Sequence, residues 1–220
     1  MSCIKFFLLK NNKFFDLSLV NYVMTPSVLA ALAAFALVTT VTPGPNNLML
    51  LASGANFGFK RTLPHMFGIV AGLSALTLVV GGGLMKLFQT YPVLNVWLSI
   101  VSAAYLLWLA WKIGSAEPLK ESNSSDKPMT LLQAAAFQWV NPKAWAMGLS
   151  AITLYAPNQS LVSAMMVASV FAVVSFPAIS VWAWFGVVVR KWLTSHRRYR
   201  IFNISMALLL VASLYPVLNL

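Results

Sequence analysis

The chain has 220 residues, of which 60% are hydrophobic and 9% charged, with a net charge of +11 and a mean hydropathy of +0.79. Soluble domains carry roughly a quarter charged residues, so this composition excludes an ordinary soluble fold and describes a polytopic helical membrane protein. The positive charge does not point to nucleic acid, because Lys and Arg fall in short clusters between apolar runs; anionic lipid headgroups fit that pattern.

Residues 1–23 stand apart from the rest. Lys5, Lys10, Lys13 and Asp16 cut their apolar pieces well below the roughly 20 residues a membrane span needs, and no small-residue cleavage site follows. Met24-Thr25-Pro26-Ser27 has the look of a natural start, with Ser27 as helix cap, so residues 1–23 read as a non-native or disordered extension. Residues 24–220 then form one domain: a first half over 24–114, a polar loop over 115–129 and a second half over 130–220. Six apolar segments can be cut, at about 28–56, 64–88, 92–113, 130–155, 161–189 and 201–220. Gly58 to Arg61 turns the chain after the first. The second carries Gly68 and Gly72 at the GxxxG spacing that lets helices approach closely. Trp108 and Trp111 beside Lys112 anchor the third at an interface, and Pro177 offers a bend in the long fifth.

Counting positive charges by side sets the topology. With six spans, the loops after the first, third and fifth share a side and hold ten of the 15 Lys and Arg residues, against four on the other side, with Lys143 left inside the membrane. The positive-inside rule then puts both termini outside.

Two of the six segments are interrupted, and the interruptions match. Thr42-Pro43-Gly44-Pro45-Asn46-Asn47 breaks the first segment roughly 21 Å from Gly58, and Asn141-Pro142-Lys143 breaks the fourth roughly 17 Å from Thr130 at the helical rise. Proline removes a backbone donor, and irregular backbone at membrane depth is tolerated only where it is buried in protein or lines a cavity. Three spans follow each start, so the second trio enters upside down. The expected fold is an all-α membrane protein of six transmembrane helices, a 3+3 inverted repeat with the first and fourth broken mid-membrane.

The residue types at the breaks suit a zwitterion. Asn141 is a good N-cap and Pro142 a good first helical residue, so the half-helix starting there aims free N–H groups inward; Thr42-Pro43 or Gly44-Pro45 starts another in the same way. Two positive dipole ends and Lys143 attract a carboxylate. Orphan carbonyls of the half-helices that stop at the breaks, with the side-chain oxygens of Asn46, Asn47 and Gln138, receive an ammonium. The candidate substrate site is therefore Pro43, Gly44, Pro45, Asn46, Asn47, Gln138, Asn141, Pro142 and Lys143, and its ligand a small amino acid.

Four runs carry a resemblance: Thr42-Pro43-Gly44-Pro45-Asn46-Asn47-Leu48; Gly58-Phe59-Lys60-Arg61; Ala103-Ala104-Tyr105-Leu106-Leu107-Trp108-Leu109-Ala110-Trp111-Lys112; and Phe137-Gln138-Trp139-Val140-Asn141-Pro142-Lys143-Ala144. Together they closely resemble the lysine-exporter (LysE/RhtB) family of amino-acid exporters, over residues 24–220. The resemblance implies a six-helix exporter of amino acids or their derivatives in the bacterial inner membrane, driven by the proton motive force and assembled as a homodimer. The branch it looks most like includes exporters of cysteine and O-acetylserine and of homoserine or threonine.

Competing readings stand beside these. Pro43 and Pro45 also fit structural kinks in a packed bundle, and His65 reads as an interfacial histidine before a proton relay. An intramembrane enzyme would need a nucleophile with a base, a carboxylate pair or a metal cluster. No Asp or Glu lies in any of the six segments and Cys3 is the single cysteine, so no catalytic residue, metal or cofactor is expected. A passive pore or a membrane assembly subunit is the other alternative.

Overall fold

The computed structural model describes residues 25–84, 87, 90–116, 127–156 and 160–215. The N-terminal extension, Lys86, residues 117–126 of the polar loop, the turn at 157–159 and residues 216–220 lie outside the described residues. Every regular element among the described residues is helical.

Helix α1 (Pro26–Val41) starts on Thr25, whose hydroxyl accepts the Val28 N–H at 3.4 Å with Pro26 in the first turn. The cap is thus Thr25, two residues before the expected Ser27, because Pro26 lacks the N–H that a cap must satisfy and fits the first helical position. Thr42 is extended (φ −61°, ψ 143°), as the residue before a proline must be, and this ends α1. Gly44, also extended, leads into α2 (Pro45–Phe57), which leaves α1 at a bend of 59°. Of the two starts open from sequence, Gly44-Pro45 is the one used.

Gly58 turns the chain with φ 83°, a left-handed conformation that favours glycine. Helix α3 (Phe59–Val79) follows at once and ends in a π turn (Val80–Leu84). It begins five residues before the expected Pro64, which sits inside the helix near its N-terminal end. Helix α4 spans Val93–Gly114. A capping box, Thr130 with Gln133, opens α5 (Leu131–Phe137), which tightens into a 3₁₀ turn (Gln138–Val140) before the break at Asn141. Helix α6 (Pro142–Tyr155) resumes beyond it. The long α7 (Leu161–Arg190) runs through Pro177 as one helix. Helix α8 (His196–Ala212) starts earlier than expected because the Ser195 hydroxyl caps it, drawing the basic residues His196 to Arg200 into its first turns.

Phe59–Leu84, Val96–Gly114 and Leu161–Arg190 are each long and apolar enough to cross a membrane, and α1 with α2, counted as one bent span, makes a fourth. Helices α6 and α8, at 14 and 17 residues, are shorter.

Packing places α7 against α1, α2 and α3, while α3 also packs on α5 and α4 on α8. Small residues allow the closest crossings: Gly54 lies on the Ala183 carbonyl and Gly186 on the Leu51 carbonyl where α2 meets α7, and Gly68 and Gly72 lie against the α5 backbone. Leu32, Leu76 and Phe171 centre one apolar cluster, Leu106, Phe137 and Leu210 a second, and Leu50, Met66 and Ile179 a third. Leu132, Val173 and Trp184 point outward, so apolar side chains cover the outside as well as the core, as a lipid solvent requires.

Candidate functional site

A helix that stops inside an apolar bundle must find donors for its last carbonyls. At the end of α1 each is satisfied by a side chain. The Asn47 amide donates to the carbonyls of Thr40 and Thr42, both at 2.7 Å. The Trp182 indole, from α7, donates to Val41 at 3.0 Å. The Thr42 hydroxyl donates to Thr39 at 2.9 Å. Lys143 from α6 completes the set: its Nζ donates to the Thr42 carbonyl at 2.6 Å, the Thr42 hydroxyl oxygen at 2.9 Å and the Pro43 carbonyl at 3.3 Å.

The second break is joined to the first by a reciprocal amide pair. Asn46 Nδ2 donates to Gln138 Oε1 at 2.9 Å, and Gln138 Nε2 donates back to Asn46 Oδ1 at 3.1 Å. Gln138 Nε2 also donates to the Ala134 carbonyl at 2.9 Å, which fixes which end of its amide is nitrogen. Asn141 acts as the N-cap of α6, its Oδ1 accepting the Lys143 N–H at 3.2 Å with Pro142 as first helical residue.

A common logic relates these contacts. Pro45 and Pro142 each open a helix, so Asn46 and Lys143 each occupy its second position. From there each side chain crosses to the residues that end the other broken segment: Lys143 to Thr42 and Pro43, Asn46 to Gln138. Gly44 makes room for this, since a Cβ there would lie 2.7 Å from Lys143 Cδ.

All nine residues singled out from sequence gather at the two breaks. Gly44, Pro45, Asn47, Gln138 and Asn141 are buried, Asn46, Pro142 and Lys143 half-buried, and Pro43 exposed. Gly44, Asn46, Asn47, Gln138, Asn141 and Lys143 line a cavity of about 20 Å³, room for about one water molecule. Thr40 and Ser175, whose hydroxyls meet at 3.1 Å, close another wall. Ser175 and Trp182 were not legible as part of the site, because an isolated polar group in the long apolar run of α7 carries no spacing signal. His65, expected at an interface, is 1% exposed, and neither ring nitrogen has a hydrogen-bond partner. The described residues contain no cluster of metal-ligating side chains.

The sequence model of a family described as LysE type translocator matches residues 37–213. A cysteine/O-acetylserine efflux protein of Escherichia coli (strain K12) is 32% identical over 190 residues, covering 86% of this chain and 96% of that protein. A protein of the same name from Salmonella choleraesuis (strain SC-B67) is 32% identical over 191 residues with the same coverage. No solved structure matches the chain significantly.

Proposed function

The chain belongs to the LysE type translocator family, and from that premise we propose that it exports a small amino acid or derivative, of the size of cysteine or O-acetylserine, across the bacterial inner membrane by alternating access. The observation that carries this is the crossed pairing of the two breaks, Lys143 to Thr42 and Pro43 and Asn46 to Gln138. A packed kink would need only its own segment to satisfy its carbonyls; here Lys143 and Asn46 also tie each break to the other.

The Lys143 ammonium occupies the carbonyls that suit a substrate amine. We propose that an incoming amino acid takes over Thr42 and Pro43 with its own ammonium and draws Lys143 to its carboxylate. The exchange gives Lys143 an anionic partner in place of neutral acceptors and loosens the link between the halves. The cavity, with room for about one water, must open for this, which favours a gated carrier over a passive pore.

Six spans in a 3+3 inverted repeat fit the packing. Exchanging the halves, α1 with α5, α2 with α6, α3 with α7 and α4 with α8, turns the α1–α7 contact into α5–α3 and leaves α3–α7 and α4–α8 unchanged, and each of these contacts is present. The basic residues also gather at one end: Arg190 lies beside the Gly58 turn, and the Asn203 amide in α8 donates to the Ala116 carbonyl beyond α4. By the positive-inside rule that end is cytoplasmic and both termini are periplasmic. With no Asp or Glu in the spans, the groups left to carry a proton and couple export to the proton motive force are Lys143, His65 and the substrate amine. Homodimer formation belongs to the same proposal and is tested by cross-linking in native membranes.

The test is accumulation of radiolabelled cysteine or O-acetylserine in proteoliposomes under an imposed proton gradient. Uphill accumulation abolished by a protonophore is expected. Equilibration without accumulation means a pore, and no solute movement means an assembly subunit.

A further inference from the structure

A second, larger cavity of about 90 Å³ opens at the basic end of the bundle, between the C-terminal turns of α2 and α4 and the N-terminal turns of α3 and α5. Its deep wall holds Ser53, Asn56 and His65, and its rim holds the exposed Lys112 and Lys127. Hydrogen-bond logic fixes what the deep wall offers. Asn203 Nδ2 donates to the Ala116 carbonyl at 3.3 Å, so Asn203 presents its oxygen to Asn56, and Asn56 must answer with Nδ2, at 3.4 Å. Asn56 Oδ1 is left buried without a partner. The Thr62 hydroxyl spends its proton on the Gly58 carbonyl at 2.9 Å, so at the 2.9 Å contact with Ser53 it is Ser53 that donates. Ser53 then has only lone pairs to offer. His65, on the same wall, is buried with both ring nitrogens unpartnered, and its neutral ring has one acceptor nitrogen.

Buried polar atoms without partners are rare and costly, so the unpartnered atoms of Asn56 and His65 around one cavity, beside the spare lone pairs of Ser53, need an explanation. An ammonium supplies it: three N–H donors for Asn56 Oδ1, Ser53 Oγ and a His65 nitrogen. The rim is positively charged, since the exposed Lys112 and Lys127 both line it and Lys112 is held 5.5 Å over the Trp108 ring, so a carboxylate is favoured there. We propose that this cavity is a second, inner binding site for a small zwitterionic amino acid, with its ammonium inward and its carboxylate at the lysine rim, which loads substrate before transfer to the breaks. The proposal rests on the export reading above but concerns a separate set of residues.

A thiol reporter tests it. Cys3 is the single cysteine, so in a Cys3→Ser background Met129→Cys, on the half-buried cavity wall, gives one labelling site for a charged methanethiosulfonate reagent. O-acetylserine at four times its dissociation constant is expected to slow labelling about fivefold by occupancy. The slowing persists when the central site is disabled by Asn46→Ala, is lost in Asn56→Leu and separately in His65→Leu, and is absent with lactate, which keeps the carboxylate but lacks the amine. Protection lost with Asn46→Ala, kept in both cavity variants, or absent throughout overturns the inner site. Transport by the same reporter protein in proteoliposomes is scored independently: transport without protection removes only the inner site, and protection without transport removes only the export reading.

Discussion

Replacing Lys143 by Met keeps the apolar stem and removes the ammonium, and the structure predicts a split between stability and transport. Of the three acceptors that Lys143 serves, the Thr42 carbonyl retains the Asn47 amide at 2.7 Å, and the Thr42 hydroxyl retains its bond to the Thr39 carbonyl at 2.9 Å. Only the Pro43 carbonyl loses its partner, and Pro43 is exposed. All three bonds from the ammonium are lost, but the one backbone acceptor left without a donor is exposed, so the net cost is about 1–3 kcal/mol, partly offset because a half-buried charge is no longer held out of water. Folded protein should therefore be recovered in normal yield, with a thermal midpoint close to wild type. Transport should suffer more, because the substrate carboxylate loses a charged donor worth about 1.5–3 kcal/mol, or roughly 10- to 150-fold in transport efficiency at 1.4 kcal/mol per tenfold. The assay is initial-rate uptake of radiolabelled cysteine into proteoliposomes, paired with thermal unfolding of the same preparation in detergent. Transport within about twofold of wild type, with unchanged unfolding, refutes the carboxylate role; loss of folding and transport together makes Lys143 a structural clamp.

Asn46→Ala leaves Gln138 Oε1 with only the long 3.5 Å contact to Asn141; export should fall while membrane expression holds, and parallel loss of both would assign the pair to folding. Gly186→Ala pushes a methyl into the Leu51 carbonyl and to 2.8 Å from the Ala55 nitrogen, an overpacking that costs about 1–3 kcal/mol or more and should show as a lowered thermal midpoint. Gly82→Ala meets nothing within 4 Å and should stay within about 0.5 kcal/mol of wild type; equal effects at the two glycines would contradict the α2–α7 packing. Alkaline phosphatase fused after Leu220 should be active and a fluorescent protein fused there dark if the proposed topology, with its C-terminus in the periplasm, is right; the reverse result inverts it.

The sequence by itself determined the class of this protein and the location of its breaks. Composition required a lipid solvent, and Pro45 and Pro142 are local events: each follows an extended residue and suits the first helical position, which is why α2 and α6 begin where Gly44-Pro45 and Asn141-Pro142 indicated. Helix starts were less legible where a breaker was overridden, as at Pro64 inside α3, or where a cap lay upstream of the apolar run, as at Ser195. Only the tertiary structure decided which side chain meets which carbonyl. Lys143 and Thr42 are 101 residues apart and Asn46 and Gln138 are 92 apart, and no periodicity within a segment encodes how two segments are set against each other. That placement sets the Lys143 ammonium on the Thr42 and Pro43 carbonyls, a contact that no local pattern around Lys143 indicated. The same placement buried His65 and fixed the oxygen of Asn56 as an acceptor, because an amide's orientation is set by the chain of partners behind it, here Asn203 and Ala116.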